Sequence, residues 1–315
     1  MSRKKSRRSN QDSAWKDMLD AYFQAFMELF YLEIAEKIDW AAGYETLDKE
    51  LQAITTDAMI GKRFVDKLFK VKTLEGQEEV ILIHIEIQGK KEEAFSKRLF
   101  QYYCKLFAKR DQSILTLAIL TDDNRNWHPK NYQKEVFGFS VINFNFQTNK
   151  LLDYQNKKQA LSKSNNPFAT VVLVHLAFIE TKKNLETRCQ MKFSLTRPLY
   201  EKGYDRNYVI NLLKVIDWAL VLPEDLELEY KSKVHELEEE KNMSYITSFE
   251  RLGREKGLRQ GLEEGREQGR EQGREQGFQK AVNSIEKVMR SKGLDQKTIQ
   301  EILSLSKQGL EQEEA

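Results

Sequence analysis

The chain has 315 residues, 40% apolar and 10% aromatic, enough for one large domain or two ordinary ones around a real core. Charged residues reach 32% while the formal net charge is only +2, which excludes a uniformly basic nucleic-acid binder and points to long solvated helices. No run approaches the ~18 apolar residues of a membrane span, and no apolar segment follows the basic N-terminus as a signal peptide requires, so no membrane association is expected.

The first ten residues, MSRKKSRRSN, hold Arg3, Lys4, Lys5, Arg7 and Arg8 and no acid. This composition predicts a disordered tail over residues 1–12, there either for solubility or to contact phosphates. Residues 14–40 lack Gly and Pro and predict an amphipathic helix or two, with a second short helix over 46–60. The pattern then becomes strand-like in RFVDKLFKVKTL and EEVILIHIEIQG, which flank a turn containing Gly76. Helical spacing returns over 92–110, ILTLAILTD reads as a buried strand, and FGFSVINFNFQTNKLLDY supplies one or two more. Residues 13–155 therefore predict a mixed α/β core with one helix between the first hairpin and the third strand.

Helices dominate beyond that point. NPFATVVLVHLAFIETK and YVINLLKVIDWALVLP both have helical period, and Pro223 ends the second. These segments and the charged stretch after them make a helical region over 156–245. In the tail, 246–315, glycines fall at 253, 257, 261, 265, 269, 273 and 277, seven of the chain's 15. Such a repeat is either a low-complexity linker or a helix that forms when paired, in a homodimer through this tail. Cys104 and Cys189 form no CxxC pair and read as structural thiols of a reducing, cytoplasmic compartment. His84, His128, His175 and His235 are scattered, a pattern that predicts no zinc site.

Residues 63–89 carry the chemistry. In VILIHIEIQ one face holds Ile81, Ile83, Ile85 and Ile87, and the other holds Leu82, His84, Glu86 and Gln88. A turn centred on Gly76 sets Asp66 directly opposite Glu86 on the same face. Two opposed carboxylates repel by about 4 kcal/mol at ~4 Å and an effective dielectric of ~20, and a divalent cation reverses that sign. A turn displaced by one residue instead pairs Asp66 with Ile85 and turns it to the apolar face. A solvated polar face is the alternative to a metal site.

The strings FVDKLFKV, IHIEIQG and AFSKRLFQYYCKL resemble the Rpn family of recombination-promoting nucleases and putative transposases, within the PD-(D/E)XK superfamily. The resemblance extends to NPFATVVLVHL, IDWALVLPEDLE and the glycine repeat, and so covers most of residues 14–290. It implies an α/β fold with a restriction-endonuclease-like mixed sheet flanked by helices, followed by a helical C-terminal region. It also implies Mg²⁺-dependent hydrolysis of phosphodiester bonds in DNA, with Mn²⁺ as a substitute, in recombination or transposition. Asp66 and Glu86 become metal ligands, joined by the upstream acid Glu50, with Asp48 a weaker candidate, and by the Ile87 carbonyl. Gln88 orients the attacking water, Arg98 contacts phosphate, and Tyr102, at i+4 from Arg98, supports it. The family's superfamily motif usually ends in Lys where this chain has Gln88; Lys90 and Arg98 are the cations near enough in sequence to replace it. His84 takes a structural or supporting role. Two other readings stand beside this one: a catalytically inactive nucleic-acid-binding relative, and a helical protein-interaction scaffold.

Overall fold

The structure, a computed structural model, describes residues 2–49, 51, 65–76, 78–86, 92–109, 113–243 and 245, with further positions between 261 and 291. For residues 2–13, 65, 66, 78–80 and 82–86 it describes the backbone alone. The chain divides into two compact units, Met1–Ile246 and Thr247–Ala315.

The first unit opens with helix α1 (Ser2–Phe30), broken by non-helical backbone at Tyr22. Its buried residues Trp15, Met18, Leu19, Phe23, Phe26, Met27 and Phe30 recur at spacings of three and four, the stripe that lets a helix cover a core. Helical backbone begins at Ser2, inside the segment for which composition predicts disorder. Arg and Lys have good helix propensity, and a helix already nucleated by packing extends at little cost. A four-residue helix α2 (Leu32–Ala35) and a 3-10 turn at Trp40–Ala42 follow.

A five-stranded sheet has the order β1-β2-β3-β4-β7. Its strands are β1 (Tyr44–Thr46), β2 (Val65–Lys72), β3 (Glu78–Glu86), β4 (Ile114–Leu120) and β7 (Gln147–Lys150). The first three form an antiparallel meander, and β4 and β7 run parallel to β3. A parallel pair needs a crossover, and helix α3 (Phe95–Lys109) supplies it between β3 and β4. Between β4 and β7 the chain makes a separate hairpin, β5 (Asn131–Val136) and β6 (Phe139–Asn145). Its turn has positive φ at both Phe137 and Gly138, as a type I′ turn requires.

Both faces of the sheet are covered, and β4 shows how. Leu117 and Ile119 join α1 in the main core, while Ala118 and Leu120 pack with Phe95 and Leu99 of α3. On the α1 side Phe23 stacks on Phe69 with ring centroids 3.9 Å apart.

The remaining helices are α4 (Lys158–Lys163), α5 (Pro167–Glu180), α6 (Leu185–Glu201), α7 (Arg206–Ala219) and α8 (Glu224–Lys241). Asn166, Asn184 and Asp205 cap α5, α6 and α7 through their side chains, each accepting a backbone N–H of the first turn. These helices share a single core with α1 and the sheet, from Phe69 and Ile81 to Val172 and Leu213. The helical region beyond residue 155 therefore packs on the α/β core, and α1 packs on the sheet and on α5 and α7 together. No described helix is long and apolar enough to cross a membrane.

In the second unit Gly261, Gly265, Gly269, Gly273 and Gly277 have helical backbone, and a Cβ added at any of them would meet nothing within 4 Å.

Candidate functional site

The β2–β3 register pairs Asp66 with His84, Val65 with Ile85 and Leu68 with Leu82. Asp66 does not stand directly opposite Glu86, as a turn centred on Gly76 predicts. The reason lies in the turn. Thr73 accepts a hydrogen bond from Gly76 N at 2.9 Å, and Gly76 has φ +83. A turn of Thr73–Gly76 with the glycine in its last, left-handed position moves the centre of the hairpin one residue toward β2. The partner of Asp66 thereby shifts by two residues, from Glu86 to His84, and an even shift preserves the face on which each side chain falls. Asp66 and Glu86 keep the same phase of the pleat, at diagonal positions on adjacent strands.

That phase is shared by Leu68, directly in line with Asp66, and by Ala118 and Leu120, which pair with His84 and Glu86 on β4. Leu68 packs with Tyr102 and Leu106 of α3, and with Leu47 and Leu51. Ala118 and Leu120 pack with Phe95 and Leu99. The face of the sheet on which Asp66 and Glu86 fall in register is thus the face that α3 covers. Arg98 and Tyr102 lie on the buried side of α3, 9% and 2% exposed. Arg98 donates to Glu92 Oε1 at 2.5 Å, and its guanidinium lies 5.7 Å from the Phe95 ring centroid. Glu50, Gln88, Lys90 and the Ile87 carbonyl lie outside the described residues, as do the side chains of Asp66, His84 and Glu86.

Asp48, the weaker candidate for the upstream acid, is engaged elsewhere. Its carboxylate accepts from Lys67 Nζ at 2.5 Å, and Asp20 of α1 does the same at 2.5 Å. Lys67 is only 2% exposed. Burial works against its charge, but the hydrogen bonds it donates to Asp20 and Asp48 outweigh burial and hold its pKa above the ordinary lysine value. Lys67 has the phase of Phe69 and Val71, opposite to that of Asp66, so this ion-pair cluster ties α1 to the sheet on the other face. This cluster was not among the features expected from the sequence. The available signal was a lysine at an apolar position of the alternating string Val65, Lys67, Phe69, Val71.

Among the described residues no group of three or more His, Cys, Asp or Glu is arranged to hold a metal. Together these elements define a mixed α/β protein in which helix α3, bearing Arg98 and Tyr102, packs on one face of the sheet. No family model, curated protein or solved structure matches the chain.

Proposed function

We propose that the chain is a metal-dependent nuclease of the PD-(D/E)XK type, related to the Rpn family, that hydrolyses phosphodiester bonds in DNA. The observation that supports this reading is the β2–β3 register. A one-residue slip would have turned Asp66 to the α1 face, yet the register keeps Asp66 and Glu86 in one phase beneath the helix that bears Arg98 and Tyr102. Diagonal neighbours on adjacent antiparallel strands have Cα atoms roughly 7–8 Å apart, a spacing two carboxylate side chains can span to share one small cation. The donor chemistry suits Mg²⁺ or Mn²⁺, which take oxygen ligands. Asp66 and Glu86 would hold the ion, with Glu50 as the third acid. The bound ion supplies a water of lowered pKa and offsets charge on the reacting phosphate. Arg98, a planar donor held by packing and by Glu92, suits a phosphate oxygen. Tyr102 anchors the same turn of α3 against Leu68.

Gln88 favours a second reading, a DNA-binding protein without turnover. An amide can hydrogen-bond a water but adds no positive charge, unlike the lysine it replaces. The two readings part on supercoiled plasmid with and without Mg²⁺. The nuclease reading expects nicking that requires the metal and disappears in Asp66→Ala and in Glu86→Ala, with unchanged circular dichroism. A gel shift without cleavage would support the second reading, and cleavage by either variant at the wild-type rate would place the site elsewhere.

A further inference from the structure

A cavity of about 560 Å³, partly open to solvent, lies between α5, the first turn of α6, the end of α7 and the segment leading to α8, with Trp15 of α1 and with Thr121 and Asp123 beyond β4 also in its lining. That volume falls within the roughly 300–1,000 Å³ of small-molecule sites. Its walls are mostly apolar, with Val171, Val174, Val215 and Trp218 among them, and Arg188 and His175 are set into them.

Arg188 differs from the other buried cations. Lys67 has Asp20 and Asp48, Lys150 has Asp122, Lys192 has Asp217 and Glu227, and Arg98 has Glu92. Arg188 is 9% exposed, and its partners are all neutral. Nε donates to Thr181 Oγ1 at 3.1 Å, Nη2 to the Thr181 carbonyl at 3.1 Å, and Nη1 to the Val221 carbonyl at 3.4 Å. The Phe178 ring lies 5.5 Å from its guanidinium carbon. No carboxylate of the described residues forms an ion pair with it, and burial alone pushes its pKa down. Buried charges are ordinarily paired, because an unpaired one carries the full cost of desolvation. The Nη1 contact is at the outer limit of a hydrogen bond and is the one a better acceptor would replace.

The rest of the lining defines the ligand's charge. Lys182 is already neutralised by Asp123, 2.5 Å away. The cavity therefore has one uncompensated positive charge, which matches a monoanion; a phosphomonoester dianion would leave a charge unpaired. A carboxylate fits the guanidinium fork geometrically. His175 Nε2 has no hydrogen-bond partner among the described residues and offers a second polar contact.

We propose that this cavity binds a small amphipathic carboxylate, with its carboxylate on Arg188 and its apolar body among Val171, Val174, Val215 and Trp218. A hydrogen bond to a charged group is worth roughly 1.5–3 kcal/mol, which is about tenfold to a hundredfold in affinity. Calorimetric titration of the full chain with octanoate, octan-1-ol and octylammonium tests it. Octanoate should bind at least about tenfold more tightly than octanol, and octylammonium should not bind. Hexanoate should bind more weakly than octanoate by about fourfold per methylene removed, since each buried methylene is worth ~0.8 kcal/mol. Arg188→Met should reduce octanoate to the level of octanol. Octanol binding as tightly as octanoate, affinity independent of chain length, or undiminished octanoate binding by Arg188→Met would each overturn the proposal. If Arg188→Met fails to fold, the ranking of the three probes on the wild-type chain decides alone.

Discussion

Replacing Asp122 with Asn should destabilise the first unit more than almost any change at the surface. Asp122 lies just past β4 and accepts from Lys150 Nζ at the end of β7; both side chains are 0% exposed. Its other oxygen accepts from Asn124 N at 2.9 Å. Lys150 Nζ also lies 5.6 Å from the Trp127 ring centroid, a contact that remains if the carboxylate is lost. A cation–π contact contributes about 0.5–2 kcal/mol, whereas breaking a buried ion pair by removing one partner costs about 3–5 kcal/mol. Asp122→Asn keeps the acceptor for Asn124 but leaves the ammonium unpaired, so most of that cost should appear. For a unit of this size the melting temperature should fall by roughly 6–20 °C, at 2–4 °C per kcal/mol. Equilibrium urea unfolding of the wild type, Asp122→Asn, Lys150→Met and the double variant measures the coupling. The double variant should recover a large part of the loss, because no unpaired charge remains buried. A single substitution within about 1 kcal/mol of wild type, or costs that simply add, would refute the account of a desolvated, mutually dependent pair.

Burial, aided by the charges of Lys182 and Lys150, lowers the His175 pKa to about 4, below its ordinary value of 6.5. The unfolded chain therefore binds more protons between these values, and the neutral imidazole's contribution, present above pH 6.5, is lost as the pH falls toward 4. Urea midpoints of wild type and His175→Gln should converge over that window, and parallel losses would show that His175 is not responsible. Deleting residues 2–12 should weaken DNA binding chiefly at low salt, because phosphate contacts release counterions; unchanged binding at ~50 mM salt would assign the basic segment to solubility. For the glycine repeat, each glycine lowers helix stability by about 1 kcal/mol relative to alanine, and the five described helical glycines leave space where a second backbone could approach. Sedimentation should show the full chain self-associated and a chain ending near residue 245 monomeric; two monomeric species would leave the segment a linker.

Much of the architecture was legible in residue patterns. The alternation of VILIHIEIQ announced a strand with one apolar face, and Ile81 packs in the main core as that alternation requires. Residues 14–40 announced an amphipathic helix, whose buried stripe runs from Trp15 to Phe30, and NPFATVVLVHLAFIETK announced α5 by its helical period. Other features were not legible. The charged stretch after Pro223 falls in the expected helical region, but its composition does not show that Tyr230, Val234 and Leu237 of α8 reach the core. Strands β6 and β7 both fall in FGFSVINFNFQTNKLLDY, where one or two were expected, but β5 before it went unread, since a type I′ turn at Phe137–Gly138 lacks the usual Asn or Asp before its glycine.

Local chemistry by itself determined which segments are helix or strand and which phase of each is apolar, because side-chain periodicity and capping act over a few residues. The tertiary structure alone decided the rung at which β2 meets β3, since that depended on where Gly76 sits within its turn. It also decided that helices beyond residue 155 complete the core of the sheet, since only packing shows that α1 serves both. And it decided the roles of Lys67, Lys150 and Arg188. The carboxylates of the first two are distant in sequence or on another element, and the isolation of Arg188 is visible only where all neighbouring elements have been placed around it. A cation's surroundings are set by contacts between distant segments, and no short-range pattern encodes them.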